Sequence, residues 1–185
     1  MIYTSQSMLT YDKHIICETS LVLGTYGGDH IYSTINKTLD MDNGMLMKIV
    51  QPTDGESELY DVTLPAKGDK VVLICGPEVI KDARTKLDEQ LDRFYTPAGR
   101  TVRAYELRVH NKVTVSDYAI TPISSEKGVQ VGNYVVVDPA TGKYKEVAKG
   151  SDMSSYGFYA LIKEPVYKTY GKSFRYIVMK NETVA

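Results

Sequence analysis

Thr141-Gly142-Lys143 is the stretch of this 185-residue chain that comes nearest to a phosphate-binding loop. Such a loop needs a glycine five positions before the Gly-Lys pair, a serine or threonine after it and a helix next, so that backbone N–H groups converge on phosphate oxygens. Val137 stands at the glycine position, Tyr144 at the hydroxyl position, and no helical pattern follows. The same residues read as a hairpin. Tyr134-Val135-Val136-Val137 is an apolar, β-branched strand, Asp138 to Gly142 supplies turn chemistry, and Lys143 to Val147 starts a second strand.

The remaining reactive residue types are scattered. His14, His30 and His110 have neither triad nor metal spacing. Cys17 and Cys75 form no CxxC or Cys/His motif and are expected as free thiols in a reducing compartment. Asp40-Met41-Asp42-Asn43-Gly44 opens like a calcium loop, but Gln51 sits where the twelfth-position acid belongs. Leu23-Gly24-Thr25-Tyr26-Gly27-Gly28-Asp29 lacks the G-x-G-x-x-G order and reads as a flexible join. The expectation is a non-enzymatic chain with no catalytic, metal or cofactor-binding residue.

Twenty-two basic residues against 23 acidic ones leave a formal net charge of −1 with no long run of one sign. A nucleic-acid-binding domain usually carries a basic stripe, so none is expected as a partner. The N-terminal residues lack a basic region followed by an apolar core, and no apolar stretch approaches a membrane span. Fifteen tyrosines and no tryptophan favour rings that bury a face while keeping a hydroxyl wet, a habit of strands and of protein contacts.

The elements that would carry these residues are mostly short strands, at 45–50, 59–64, 70–75, 102–109, 113–120, 134–137, 158–162 and 174–179. Tyr105, Leu107 and Val109 alternate with Glu106 and Arg108, and His110-Asn111-Lys112 is expected to turn them back as a hairpin. Ile80, Ala83, Leu87, Leu91 and Phe94 recur at helical spacing between Gly76 and Gly99, predicting one α-helix there. A shift of 88 residues lays Asn43–Met47 on Val131–Val135 and Lys70–Pro77 on Phe158–Pro165, while Ala66-Lys67-Gly68 echoes Ala148-Lys149-Gly150 at a shift of 82. The fold expected is mostly β, with two small related β-barrel or β-tulip-like units and one central α-helix. Its parts are an N-terminal arm at 1–30, a first β unit at 31–77, helix and connector at 78–98, a linking hairpin at 99–118 and a second β unit at 119–185.

Lys127 to Val137, then Thr141-Gly142-Lys143-Tyr144, then Gly157 to Ile162 resemble the small β domains of tailed-phage head decoration proteins, the capsid cement group. Ala98 to Leu107 also looks like a segment of virion proteins from phages of Gram-positive bacteria and gut anaerobes. The resemblance implies a β-tulip-like domain, homotrimers bound to the major capsid protein on the virion surface, an N-terminal arm that orders on the shell, and no catalysis. Ile2, Tyr3, Met8, Leu9, Tyr11, Ile15 and Ile16, apolar residues of a segment with no evident partner of its own, are the expected capsid or subunit contacts. A second expectation from another class is a tail or fibre adhesin that binds host-surface glycans through exposed tyrosines.

Overall fold

The computed structural model describes residues 13–23, 31–77 and 91–184. Five strands come first: β1 (Ile31–Ile35), β2 (Leu46–Pro52), β3 (Leu59–Thr63), β4 (Val72–Ile74) and β5 (Thr101–Glu106). They close into a barrel in the order β1-β3-β2-β4-β5, with β1 parallel to β3, antiparallel to β5, and every other pair antiparallel. Closure removes the free edges that five short strands would otherwise expose.

Six more strands follow: β6 (Lys112–Ser116), β7 (Ile120–Thr121), β8 (Tyr134–Val137), β9 (Tyr144–Val147), β10 (Phe158–Lys168) and β11 (Gly171–Asn181). Their order is β6-β11-β10-β8-β9-β7. Its two ends, β6 and β7, are consecutive pieces of one segment interrupted by a 3-10 turn at Asp117–Ala119. The sheet therefore curls back on itself through the chain, while its hydrogen-bonded ladder stays open between β6 and β7.

The two units repeat one strand plan. Leu46 opposite Leu73 and Met47 opposite Val72 become, 88 residues on, Tyr134 opposite Leu161 and Val135 opposite Ala160. Ile49 opposite Val62 becomes Val137 opposite Tyr144, a shift of 88 on one strand and 82 on the other. Those are the two offsets that the sequence matches required. Closure repeats too: Ile31 opposite Tyr105 and Ile35 opposite Thr101 have counterparts in Lys112 opposite Ile177 and Ser116 opposite Ser173.

Pairing moves the expected unit boundaries. The strands around His110 form no hairpin, because β5 closes the first barrel while β6 pairs with β11 in the second sheet. His110 instead makes a handover between sheets, with φ 73 and its N–H bonded to the Val178 carbonyl. The first unit thus runs from 31 to 106 and the second starts at β6, inside the segment expected to link them. A local hairpin pattern was outcompeted by long-range partners that already had the right register.

The helix expected between Gly76 and Gly99 falls mainly on residues 78–90, which lie outside the described residues. Where it reaches described ones, Leu91–Arg93 is a single 3-10 turn, and Thr96 exchanges both backbone hydrogen bonds with Met41. Pro97 favours an extended residue before it, which suits that bridge and opposes a helix. Among the described residues there is no α-helix. The hairpin at 134–147 forms as expected: Gly142 takes φ 68 and its N–H and that of Thr141 both bond the Asp138 carbonyl.

One core joins the units. Leu46, Leu73 and Ile74 of the barrel share a buried cluster with Val135, Phe158, Ile162 and Tyr176 of the second sheet. At the junction Gly157 passes so close to the backbone of Gly68 and Asp69 that a Cβ there would lie 2.4 and 2.3 Å from their carbonyl oxygens. Asn181 clamps the same seam, accepting from the Val71 N–H and donating to the Val71 and Leu107 carbonyls.

Candidate functional site

The N-terminal segment at 13–23 runs along this seam. Asp42 receives the Ile15 N–H at 3.0 Å and lies 2.7 Å from His14 Nδ1, while the Ile16 N–H and C=O both bond Ser116. Ile15 and Ile16 are only 1% and 2% exposed. Both side chains, expected as contacts for another protein, are buried within this chain, which the sequence could not disclose because the wall they face is built from residues 27 to 100 positions away. Ile2, Tyr3, Met8, Leu9 and Tyr11 lie outside the described residues. So do His30 and the glycines at 24–28.

The other motifs resolve into structure. Asp42, from the stretch that resembled a calcium loop, holds the arm, and Gly44 turns the chain at φ 103. No group of three His, Cys, Asp or Glu side chains is placed to hold a metal ion among the described residues. A cleft of about 320 Å³ beside Ser33, Thr101 and Arg103 opens where the chain leaves the barrel at Gly76 and Pro77. The tyrosines divide: Tyr144 and Tyr176 are fully buried with their hydroxyls 2.8 Å apart, whereas Tyr167 is 76% exposed. Burial, first of all, pushes both buried phenols well above the ordinary tyrosine range.

The built feature that sequence reasoning missed is the loop at 122–133. Glu146 on β9 is 2% exposed, yet its carboxylate is fully occupied: one oxygen accepts the Ile123 N–H at 3.0 Å, the other the Gln130 N–H at 2.9 Å and Asn133 Nδ2 at 2.7 Å. Three donors to one buried carboxylate offset its desolvation and pin both ends of the loop. The loop so pinned exposes Ile123 and Val131, at 57% and 52%. The available signal was Glu146 at a core-facing strand position after Tyr144, where an apolar residue is the rule.

A second projecting element is the β10–β11 hairpin. β8 covers β10 only from Tyr159 to Leu161, so the edge from Lys163 to Lys168 has no partner strand among the described residues. Pro165 and two lysines on that edge discourage indiscriminate strand pairing. At the tip, burial and then the charge of Glu18 on the arm push the Tyr170 phenol upward, so the arm and the hairpin tip touch while Tyr167 stays out in solvent.

Comparison with protein-family models, curated proteins and solved structures finds no match to this chain. The likeness to decoration proteins accordingly rests on the motifs quoted above and on nothing else.

Proposed function

We propose that this chain is a structural protein of a tailed-phage virion that binds the capsid surface and stabilises it, as a homotrimer contacting the major capsid protein. The observation that carries the reading is the loop at 122–133. A buried carboxylate is committed to fixing a surface loop whose exposed side chains include Ile123 and Val131. Rigid presentation of apolar residues lowers the ordering cost of docking, which suits a protein selected for contacts. The loop also lies within the stretch, Lys127 to Val137, that resembles the decoration group. In this reading each unit is a β-tulip-like domain, and the arm's contacts are the residues before position 13.

Light scattering on the purified protein, followed by co-sedimentation with undecorated shells, tests the proposal. The expected result is a trimer that pellets with shells, with binding lost in the Ile123→Asp, Val131→Asp double variant while its melting temperature is unchanged. A monomer that ignores every shell overturns it. Exposed Tyr167 at the hairpin tip favours the adhesin as second reading; glycan binding abolished by Tyr167→Ala, without shell binding, would install that one instead. The loop at 151–157 also carries a tyrosine, but it is less suited, because the Tyr156 ring already lies 4.1 Å under the Lys67 ammonium.

A further inference from the structure

Cys17 and Cys75 lie far apart in the chain and belong to different parts of it, the arm and the end of the barrel strand β4. Both are fully buried, their sulfurs are 3.9 Å apart, and the Cys75 thiol donates to the Cys17 carbonyl at 3.1 Å. Their backbones are held: the Cys75 N–H bonds the Arg103 carbonyl, and Ile16 beside Cys17 exchanges hydrogen bonds with Ser116. Gly44 lets the arm approach, since a Cβ there would lie 3.0 Å from Cys17 Cβ and 2.8 Å from Ile15 Cγ2. Two buried thiols whose sulfurs are 3.9 Å apart lie near the S–S bonding distance of about 2.0 Å.

We propose that Cys17 and Cys75 are an oxidation site that closes into an intramolecular disulfide, clasping the N-terminal arm to the barrel. With hydrogen peroxide as oxidant, one thiolate takes an oxygen and becomes a sulfenic acid while the peroxide leaves as hydroxide. The second thiol displaces that oxygen as water, forming the S–S bond. Overall two thiols and one peroxide give one disulfide and two waters, the thiols losing two electrons to the peroxide. Burial excludes larger thiols, so the neighbouring cysteine is the partner at hand to capture the sulfenic acid.

The bond would close a long loop that includes the whole stretch from the arm to β4, and long loops gain most from cross-linking. The clasp also fits the free thiols expected during synthesis in a reducing compartment: the site closes only on exposure to oxidant.

The test treats the full-length protein with hydrogen peroxide, then denatures it, alkylates remaining thiols and measures intact mass and peptides. The expected result is loss of two hydrogens, a peptide linking Cys17 to Cys75, no alkylation, and a melting temperature raised by about 10 °C that dithiothreitol reverses. Cys17→Ala and Cys75→Ala variants should each carry one thiol that proceeds to sulfinic acid or stays reduced, with no rise in melting temperature. Two alkylatable thiols after peroxide, separate sulfinic acids in the unsubstituted protein, or a disulfide only between molecules would each overturn the proposal.

Discussion

The first barrel and the second sheet follow one strand plan with different closures, and the difference lies in a single strand. In the first unit β1 serves both neighbours, antiparallel to β5 and parallel to β3. In the second unit the same duty is divided, β6 pairing with β11 and β7 with β9, with the 3-10 turn at Asp117–Ala119 between them. The anchors of the corresponding loops diverge in the same way. In the first unit Asn36 ties its loop by accepting the Thr38 and Leu39 N–H groups and donating to the Val62 carbonyl. In the second, Glu146 does this work from β9, at the position that Leu64 occupies 82 residues earlier.

The comparison can be broken most severely at the junction. Gly157→Ala forces a Cβ against two backbone carbonyls that cannot rotate away. It is expected to cost about 4 kcal/mol or more, read from urea unfolding. Because the core is continuous across the units, the transition should shift as a whole; a variant that unfolds in two steps would mean that the units are separable bodies.

Next comes the anchor peculiar to the second unit. Glu146→Gln replaces one acceptor oxygen with an NH2 facing an N–H donor, an expected loss of about 3 kcal/mol. Faster hydrogen exchange at the Ile123 and Gln130 amides, with the Thr38 and Leu39 amides unaffected, would locate the damage in one loop and leave its counterpart intact.

A smaller effect belongs to the Tyr144–Tyr176 pair. Removing either hydroxyl strands the other in the core, at about 2 kcal/mol for Tyr144→Phe or Tyr176→Phe alone. The double variant should recover most of that, and a thermodynamic cycle measures the coupling directly.

The smallest effect sits on the first barrel, where Asp69 faces Lys48 at 2.8 Å. Partial burial pushes this carboxyl up, but hydrogen bonds from Lys48 and the Ala66 N–H, with the lysine's charge, outweigh it and hold the group below its ordinary range. A depressed carboxyl adds stability above its unfolded-state value, and that stability is lost as pH falls through the folded-state one. Asp69→Asn should therefore cost under about 1 kcal/mol near neutrality and nothing once the pH has fallen below the folded-state value of Asp69. A difference that grows on acidification would contradict the sign.

Much of the architecture was legible. The β-rich class, the hairpin at 134–147 and the repeat at offsets of 88 and 82 follow from alternation, turn residues and local matches, which are short-range properties of a chain. The strands of β5 and β6 were legible as strands and misread as partners, since nothing local distinguishes a hairpin from a handover when each strand has a better mate elsewhere. The contact site was the least legible part. Ile15 and Ile16 read as exposed because their partners, near Asp42 and Ser116, come from distant segments.

By itself the amino-acid order determined which residues form strands, where they turn, and that one plan is used twice, because those outcomes depend on backbone preference and periodicity within a few residues. Only tertiary structure decided that the arm fills its own seam, that Cys17 meets Cys75, and that Glu146 steadies the loop carrying Ile123 and Val131. Such meetings depend on which distant surfaces pack to exclude water together, a condition no single stretch of sequence carries.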